Sequence, residues 1–488
     1  MPRLTVPPNI IGTAGNDTLV GEDINQSSAI GIDILTGGFI CTRGGNDTIR
    51  GTGTGSNGSA GIGSGGLGLM GTGISNSGSL YTGNGDDAIT GIGSGGSGGN
   101  ASGSSPSGGI TRGGDGDAGI GISNSSSLYT GNGNDTITGT GSGGSGGSSN
   151  SGGFGSVNFA GNGNAGIGIS NSGSLYTGNG DDAIIGTGSG GSGGSSGNSS
   201  FSRGGNGDAG TGISNSGSLY TGNGNDIITG TGSGGSGGGI GGFSRGGNNG
   251  NGNAGTGISN SGSLYTGNGN DTITGTGSGG SGGKTNGGFG SPNFLAGSGG
   301  QGIGISNFKE ALISTGSGND TIKGYGNSSD PNALAYGIFN NGLIDTGNGR
   351  DILTGQATAT VGGTVYGIYG TGTINTGSGN DEVTATSTIN EVQQKVSIGG
   401  GIKIDLGTGD DKFQGFGNGT VDGGNGFDTL DLSAFNRSQL VISGVISGNV
   451  LNPANISFNN NGNVVTLSTT GFENFIFADT TLSYSTLV

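Results

Sequence analysis

A ten-residue pattern, Thr-Gly-Asn-Gly-Asn/Asp-Asp-x-Ile-x-Gly, recurs along the chain with small variations. Its second acidic position falls at Asp17, Asp47, Asp87, Asp135, Asp182, Asp226, Asp271, Asp320, Asp351, Asp381, Asp411 and Asp428. Neighbouring copies are 30, 40, 48, 47, 44, 45, 49, 31, 30, 30 and 17 residues apart. A unit near 30 residues is therefore enlarged in the middle of the chain. Self-similarity on this period restricts the chain to stacked repeats, because one such unit cannot bury an apolar face by itself.

Apolar residues hold a fixed register within the unit, 13 and 7 residues before the Asp and 2 after it. They are Ile34, Ile40 and Ile49 around Asp47; Ile74, Leu80 and Ile89 around Asp87; Ile338, Ile344 and Leu353 around Asp351; and Ile368, Ile374 and Val383 around Asp381. The Asp320 unit departs by two residues, since Ile305 precedes Ile313 by eight, which predicts a bulge or widened turn. Each apolar residue sits in a short alternating run, the signature of a strand. The expected fold is all-β: a parallel β-helix or β-roll solenoid of about 12 coils, with three aliphatic ladders inside. At an inter-strand spacing of about 4.8 Å the rod would be on the order of 55 Å long. Repeats span 9–428. Residues 429–488 leave the pattern for denser apolar alternation and predict a C-terminal β cap over the last coil.

Glycine contributes 132 of 488 residues and apolar types only 27%. Such a chain loses much backbone freedom on folding and needs a repeated source of order. The extra residues of the central units are Gly/Ser-rich, as in Gly93-Ser94-Gly95-Gly96-Ser97-Gly98-Gly99, with counterparts after Asp135, Asp182, Asp226 and Asp271. They lie outside the apolar strips and are expected to project from one edge of the rod as flexible loops, with a spacer or self-association role as the second reading.

The source of order is suggested by charge. Fourteen Lys and Arg stand against 31 Asp and Glu, a net −17, which argues against nucleic acid or an anionic membrane as a partner and for cations. With no His and a single Cys41, neither a Cys/His zinc site nor an internal disulfide can form. Hard, oxygen-seeking ions such as calcium remain. Met1 to Ile11 contains no apolar run long enough for a signal-peptide core, and no stretch reaches the roughly 18 apolar residues of a transmembrane helix. Export without a Sec-type leader is the expectation.

Alternating glycines let the turn take positive φ and aim carbonyl oxygens inward, while the Asp adds a charged hard oxygen. Equivalent carboxylates one coil apart repel by roughly 1 kcal/mol even in water, a term that a divalent ion between them reverses. Residues 83–89, Gly-Asn-Gly-Asp-Asp-Ala-Ile, resemble the G-x-G-x-D-x-U heart of the RTX, or haemolysin-type, calcium-binding repeat. The resemblance implies several calcium ions held between successive coils, with the twelve aspartates above as carboxylate ligands. Turn-shaping glycines would be Gly83 and Gly85, Gly131 and Gly133, Gly178 and Gly180, Gly222 and Gly224, Gly267 and Gly269, Gly316 and Gly318, Gly347 and Gly349, and Gly377 and Gly379. It further implies a secreted or surface-displayed protein exported by a type I system through an uncleaved C-terminal signal. Departures are clear: one nonapeptide per coil instead of tandem copies, Thr in place of the first Gly, Arg43 at a Gly position, and Arg350 before Asp351. Ions should then line a single edge, more weakly at the altered copies.

Three further series stand out. Tyr81, Tyr129, Tyr176, Tyr220 and Tyr265 form an outward file that either stacks on itself or serves cell-surface glycans or self-association. Asn76, Asn124, Asn171, Asn215 and Asn260 predict an amide ladder. Thr138 and Thr140, Thr229 and Thr231, and Thr274 and Thr276 predict an outward hydroxyl grid like that of ice-binding solenoids. A hydrolase is poorly supported, because pairs such as Asp86-Asp87, Asp181-Asp182 and Asp410-Asp411 should face opposite sides of the turn and the many serines have no His partner. The expected function is calcium binding that drives folding of a structural repeat protein, with an adhesin or ice-binding module as the alternative.

Overall fold

The computed structural model describes residues 2–103, 109–151, 155–241, 247–285, 296–360, 362–444 and 453–487. Each central unit has three wall strands, as in Gly119–Asn124, Ser127–Asn132 and Thr136–Ser142. Every one pairs in parallel with its equivalents in the coils before and after. Ile122 lies between Ile74 and Ile169, Leu128 between Leu80 and Leu175, and Ile137 between Ile89 and Ile184. Three walls result, and the residues of these ladders are 0–1% exposed. β-Branched Ile suits this position, since its stiff side chain packs flat against the copy one coil away.

The Asp47 unit corrects the sequence register. Ile32, not Ile34, pairs with Ile74, while Ile34 stands opposite Asn76. Eight residues separate Ile32 from Ile40, as eight separate Ile305 from Ile313. Both units share an enlarged corner between walls one and two, turned through Gly37 at φ 81° in one and Glu310 at φ 69° in the other. The widened turn foreseen for the Asp320 unit is thus present, and it has a second instance.

The Gly/Ser insertions lie outside the three ladders, as expected, but their described parts are ordered rather than loose. Outbound, the amides of Gly95, Gly98 and Ala101 donate to the carbonyls of Ser142, Ser145 and Ser148 in the next coil. On the way back, Gly113, Gly116 and Gly119 donate to Phe159, Asn162 and Ala165. The two layers are joined by Gly96 to Leu69 and Gly99 to Gly66. Bonding at every third residue is the period of an extended polyproline-II-like chain, whose amides must find partners outside their own segment. Glycine is required by the close approach: a Cβ on Gly144 would lie 1.9 Å from the carbonyl oxygen of Gly96. Together the insertions make a fin. Its tip carries a three-stranded and a four-stranded parallel sheet, including Ala101–Ser102 and Ile110–Arg112.

At the C-terminal end, Thr429–Leu432 and then Asn474–Phe477 prolong the third wall in parallel. Asn463–Thr470 pairs with Gly417–Asp422 in parallel and with Ala454–Asn460 as a hairpin. Phe413, Phe416, Phe435, Phe472 and Phe475 are buried at this end, Phe413 and Phe475 in the third-wall ladder beside Val383 and Leu430. Larger rings close the open end of the aliphatic core. Among the described residues no helix is long and apolar enough to cross a membrane.

Candidate metal centre

The turn between walls two and three is Thr-Gly-x-Gly-x-Asp. Both of its glycines are left-handed in every predicted copy, for example Gly83 at φ 110° and Gly85 at φ 126°, Gly178 at 112° and Gly180 at 133°, and Gly377 at 88° and Gly379 at 135°. They also touch the coil before, since a Cβ on Gly131 would sit 1.7 Å from the carbonyl oxygen of Gly83. Glycine is needed twice over, for conformation and for contact. Arg43 holds the first glycine position of its copy at φ 79°, a left-handed angle rare for a residue with a side chain.

This geometry sorts neighbouring acids. Asp86, Asp181 and Asp410 face solvent, while Asp87, Asp182 and Asp411 are buried. The buried aspartates form one continuous file. The amide of each donates to Oδ1 of the Asp one coil on, from Asp17 to Asp47, Asp87 to Asp135, Asp226 to Asp271 and Asp411 to Asp428, at 2.8 Å in each case. A second ladder on the outer side runs the opposite way, with Asn134 donating to Asp86 and Asp181 to Asn134, both at 2.8 Å.

The other carboxylate oxygen, Oδ2, is left over. In Asp47, Asp87, Asp135, Asp182, Asp226, Asp271, Asp320, Asp351, Asp381, Asp411 and Asp428 it is buried and receives no hydrogen bond. Among the described residues no Lys or Arg pairs with the file; the ion pairs lie elsewhere, as at Lys412 with Glu382 and Asp431. Burial therefore pushes the carboxyl groups upward, Asp135, Asp271, Asp351 and Asp428 to about 6 and Asp182 and Asp411 to about 7. Neighbouring carboxylates add to the rise, and the amide on Oδ1 opposes it. The Thr130 side chain beside the Asp135 carboxyl also opposes the rise, while its hydroxyl donates to the carbonyl of Thr177 at 3.2 Å.

Buried oxygens without donors call for a cation or a proton. Calcium fits this chemistry, since a hard anionic oxygen without a donor repeats from coil to coil. Among the described residues no three His, Cys, Asp or Glu side chains converge on one point, so any ion here must draw its remaining ligands from backbone, hydroxyl or water oxygens.

The two ends differ from the middle. Asp17 is partly exposed, and its Oδ2 accepts from its own turn, the amide of Thr13 at 2.7 Å. The carboxylate of this copy is satisfied within its own turn. At the other end Glu473 accepts the Asp428 amide through Oε2 at 2.8 Å. Glu473 escaped the sequence pattern because it is not Asp and its turn keeps only the second glycine, Gly471 at φ 73°, although it precedes Phe475 by two residues as Asp428 precedes Leu430. The buried Thr file was seen only as a substitution for glycine.

The other series are placed as follows. Tyr129, Tyr176 and Tyr220 stack with centroids 4.9 Å apart and planes within 1° and 8°, so their faces are covered and only edges meet solvent. The Asn ladder is buried and runs from Asn76 beyond Asn260 to Asn307 and Asn340. The outward Thr columns align, Thr140, Thr187, Thr231 and Thr276 without a gap and Thr138, Thr229 and Thr274 with Ile185 among them. Comparison with family models, curated proteins and solved structures found no match for the chain.

Proposed function

We propose that this chain is a calcium-binding structural rod, secreted or displayed at a cell surface, whose coils are held in order by ions along the buried aspartate file. The observation behind this reading is the run of eleven buried Oδ2 atoms without hydrogen-bond partners. Carboxylates stacked at the coil spacing repel, and a divalent ion between neighbours turns that repulsion into attraction. Ions that bind only the folded state stabilise it by RT ln(1 + [L]/Kd) per site, which accumulates over several sites. Millimolar calcium outside the cell and scarce calcium inside would keep the chain unfolded until export, in line with its resemblance to RTX repeats. Circular dichroism across a calcium titration, with metal counted by elemental analysis, tests this: a gain of β signal with several bound ions per chain is expected, and full order in EDTA with no metal would refute it.

A second reading, a binding module, is favoured by the third wall. From Ala88 to Thr276 its outward positions are Thr, Ala and Ile, in register and without charge. Replacing Thr138, Thr229 and Thr274 by Lys and assaying ice and glycan binding separates the two, because the calcium response should survive.

A further inference from the structure

The Thr that replaces the first glycine of the motif is more than a tolerated departure. Thr42, Thr82, Thr130, Thr177, Thr221, Thr266, Thr315, Thr346 and Thr376 are 0–1% exposed. Each hydroxyl donates to the main-chain carbonyl at the matching position one coil on, at 3.1 Å from Thr82 to Thr130, 3.1 Å from Thr177 to Thr221 and 2.8 Å from Thr376 to Leu406. A hydroxyl has one proton and two lone pairs. The proton is committed along the rod, so the lone pairs are what it has left to offer.

The direction of this position is fixed by two coils that have glycine there. A Cβ on Gly12 would fall 2.2 Å from Oδ2 and 2.9 Å from Cγ of Asp17, and a Cβ on Gly423 would fall 2.9 Å from Cβ of Asp428. The side chain at this position is thus built directly against the Asp side chain of its own turn. Where Thr is absent at Gly12, the Asp17 carboxylate swings into the space and satisfies itself on Thr13. In the nine Thr-bearing turns the Asp keeps Oδ2 buried and unpartnered, as it also does at Asp411 and Asp428. In the Thr-bearing turns the hydroxyl oxygen thus lies beside the carboxylate of its own Asp, while its proton goes to the next coil's carbonyl. That arrangement is unfavourable unless something positive stands there.

We propose that the Thr hydroxyl oxygens are ligands of the bound cation, paired with the Asp of the same turn, so that each central coil presents a hard Oγ1–Oδ2 pair to calcium. This rests on the calcium reading above and adds the ligand set that one carboxylate per coil leaves short of the six to eight oxygens calcium takes. It also divides the coils into classes. The nine Thr-bearing turns, from Thr42–Asp47 to Thr376–Asp381, have the pair; the turns of Asp17, Asp411 and Asp428, with Gly12, Leu406 and Gly423 at this position, do not.

The test uses the full chain with Thr130, Thr177, Thr221 and Thr266 all replaced by Val, which keeps the branched shape without the oxygen, beside the same four positions replaced by Ser, which keeps the oxygen. Calcium affinity and stoichiometry come from calorimetry. Europium luminescence lifetimes in H2O and D2O count the waters left on the ion. The Val variant should bind calcium roughly tenfold or more weakly at the affected turns and its europium should gain water, while the Ser variant stays close to the parent in both. Equal affinity and unchanged hydration in the Val variant would overturn the proposal while leaving the calcium reading intact. Should the Val variant fail to fold, a Ser variant with affinity lost as well would overturn it, because the oxygen is retained there. A parent chain that binds neither ion removes the calcium reading itself.

Discussion

The backbone amide of Asp428 donates to Oε2 of Glu473 at 2.8 Å, in the place where the amide of Asp411 meets Oδ1 of Asp428. Glu473 thereby ends the carboxylate file from inside the cap. Replacing Glu473 by Leu should leave a buried amide without its acceptor, at a cost of about 1–3 kcal/mol. Hydrogen exchange should quicken at Thr429–Leu432 and stay slow in the central coils. Unchanged protection at Thr429–Leu432 would show that the cap is held without it.

The metal-free rod should lose stability as pH rises. Burial has lifted Asp182 and Asp411 to about 7 and Asp135, Asp271, Asp351 and Asp428 to about 6, against 3.8 for a free Asp side chain. Folded chains then hold more protons than unfolded ones between about pH 4 and 7, so their contribution is complete below about pH 4 and is lost on passing pH 6–7. A tenfold difference in proton affinity between the folded and unfolded chain is worth about 1.4 kcal/mol, and six such carboxyl groups together contribute several kcal/mol or more. The β signal that remains in EDTA should therefore be greater at pH 5 than at pH 8, and calcium should level the difference by stabilising the pH 8 form.

Asn in place of Asp226 and Asp271 should act in opposite directions with and without metal. The amide oxygen can still accept from Asp182 and Asp226, as Oδ1 does now at 2.9 and 2.8 Å. Its NH2 group can donate to the Thr hydroxyl beside it, and no charge is buried. In EDTA the double variant should keep more β signal than the parent, and in calcium it should bind fewer ions and gain less order than the parent. Equal loss under both conditions would point to a packing defect instead.

Gly144 to Val tests the fin. Its Cβ would lie 1.9 Å from the Gly96 carbonyl oxygen, so the stacked segments must part. Proteolysis should then begin within the Gly/Ser insertions while calcium binding and the wall strands persist. A variant as resistant as the parent would show that the fin tolerates a side chain there.

Much of the rod was written in the spacing of Ile and Leu about each Asp, because a stacked coil exposes every inward position to its own copy. Residue type alone could not tell Ile32 from Ile34 in the enlarged corner, since both are Ile and both are buried. Composition also misjudged the fin: a Gly/Ser tract is floppy by itself, and its order here comes from amides bonding to copies 40 or more residues away, as Gly98 does to Ser145. At the site, the glycines and aspartates were legible from their turn chemistry. Glu473 was not, because Glu replaces the Asp and its turn keeps only the second glycine, Gly471, and Thr130 was not, because its role depends on which way its single proton points.

Every central coil passes on to its successor the bonds it received from its predecessor. Asp226 hands its amide to Asp271 just as Asp182 handed its own to Asp226. Excising the 45 residues between two such aspartates would leave neighbours that recognise each other as before. Length is accordingly a free variable in this architecture, adjustable by whole modules through unequal recombination, whereas the two termini, with Asp17 folded on itself and Glu473 sealing the far side, are unique parts that no internal module can replace.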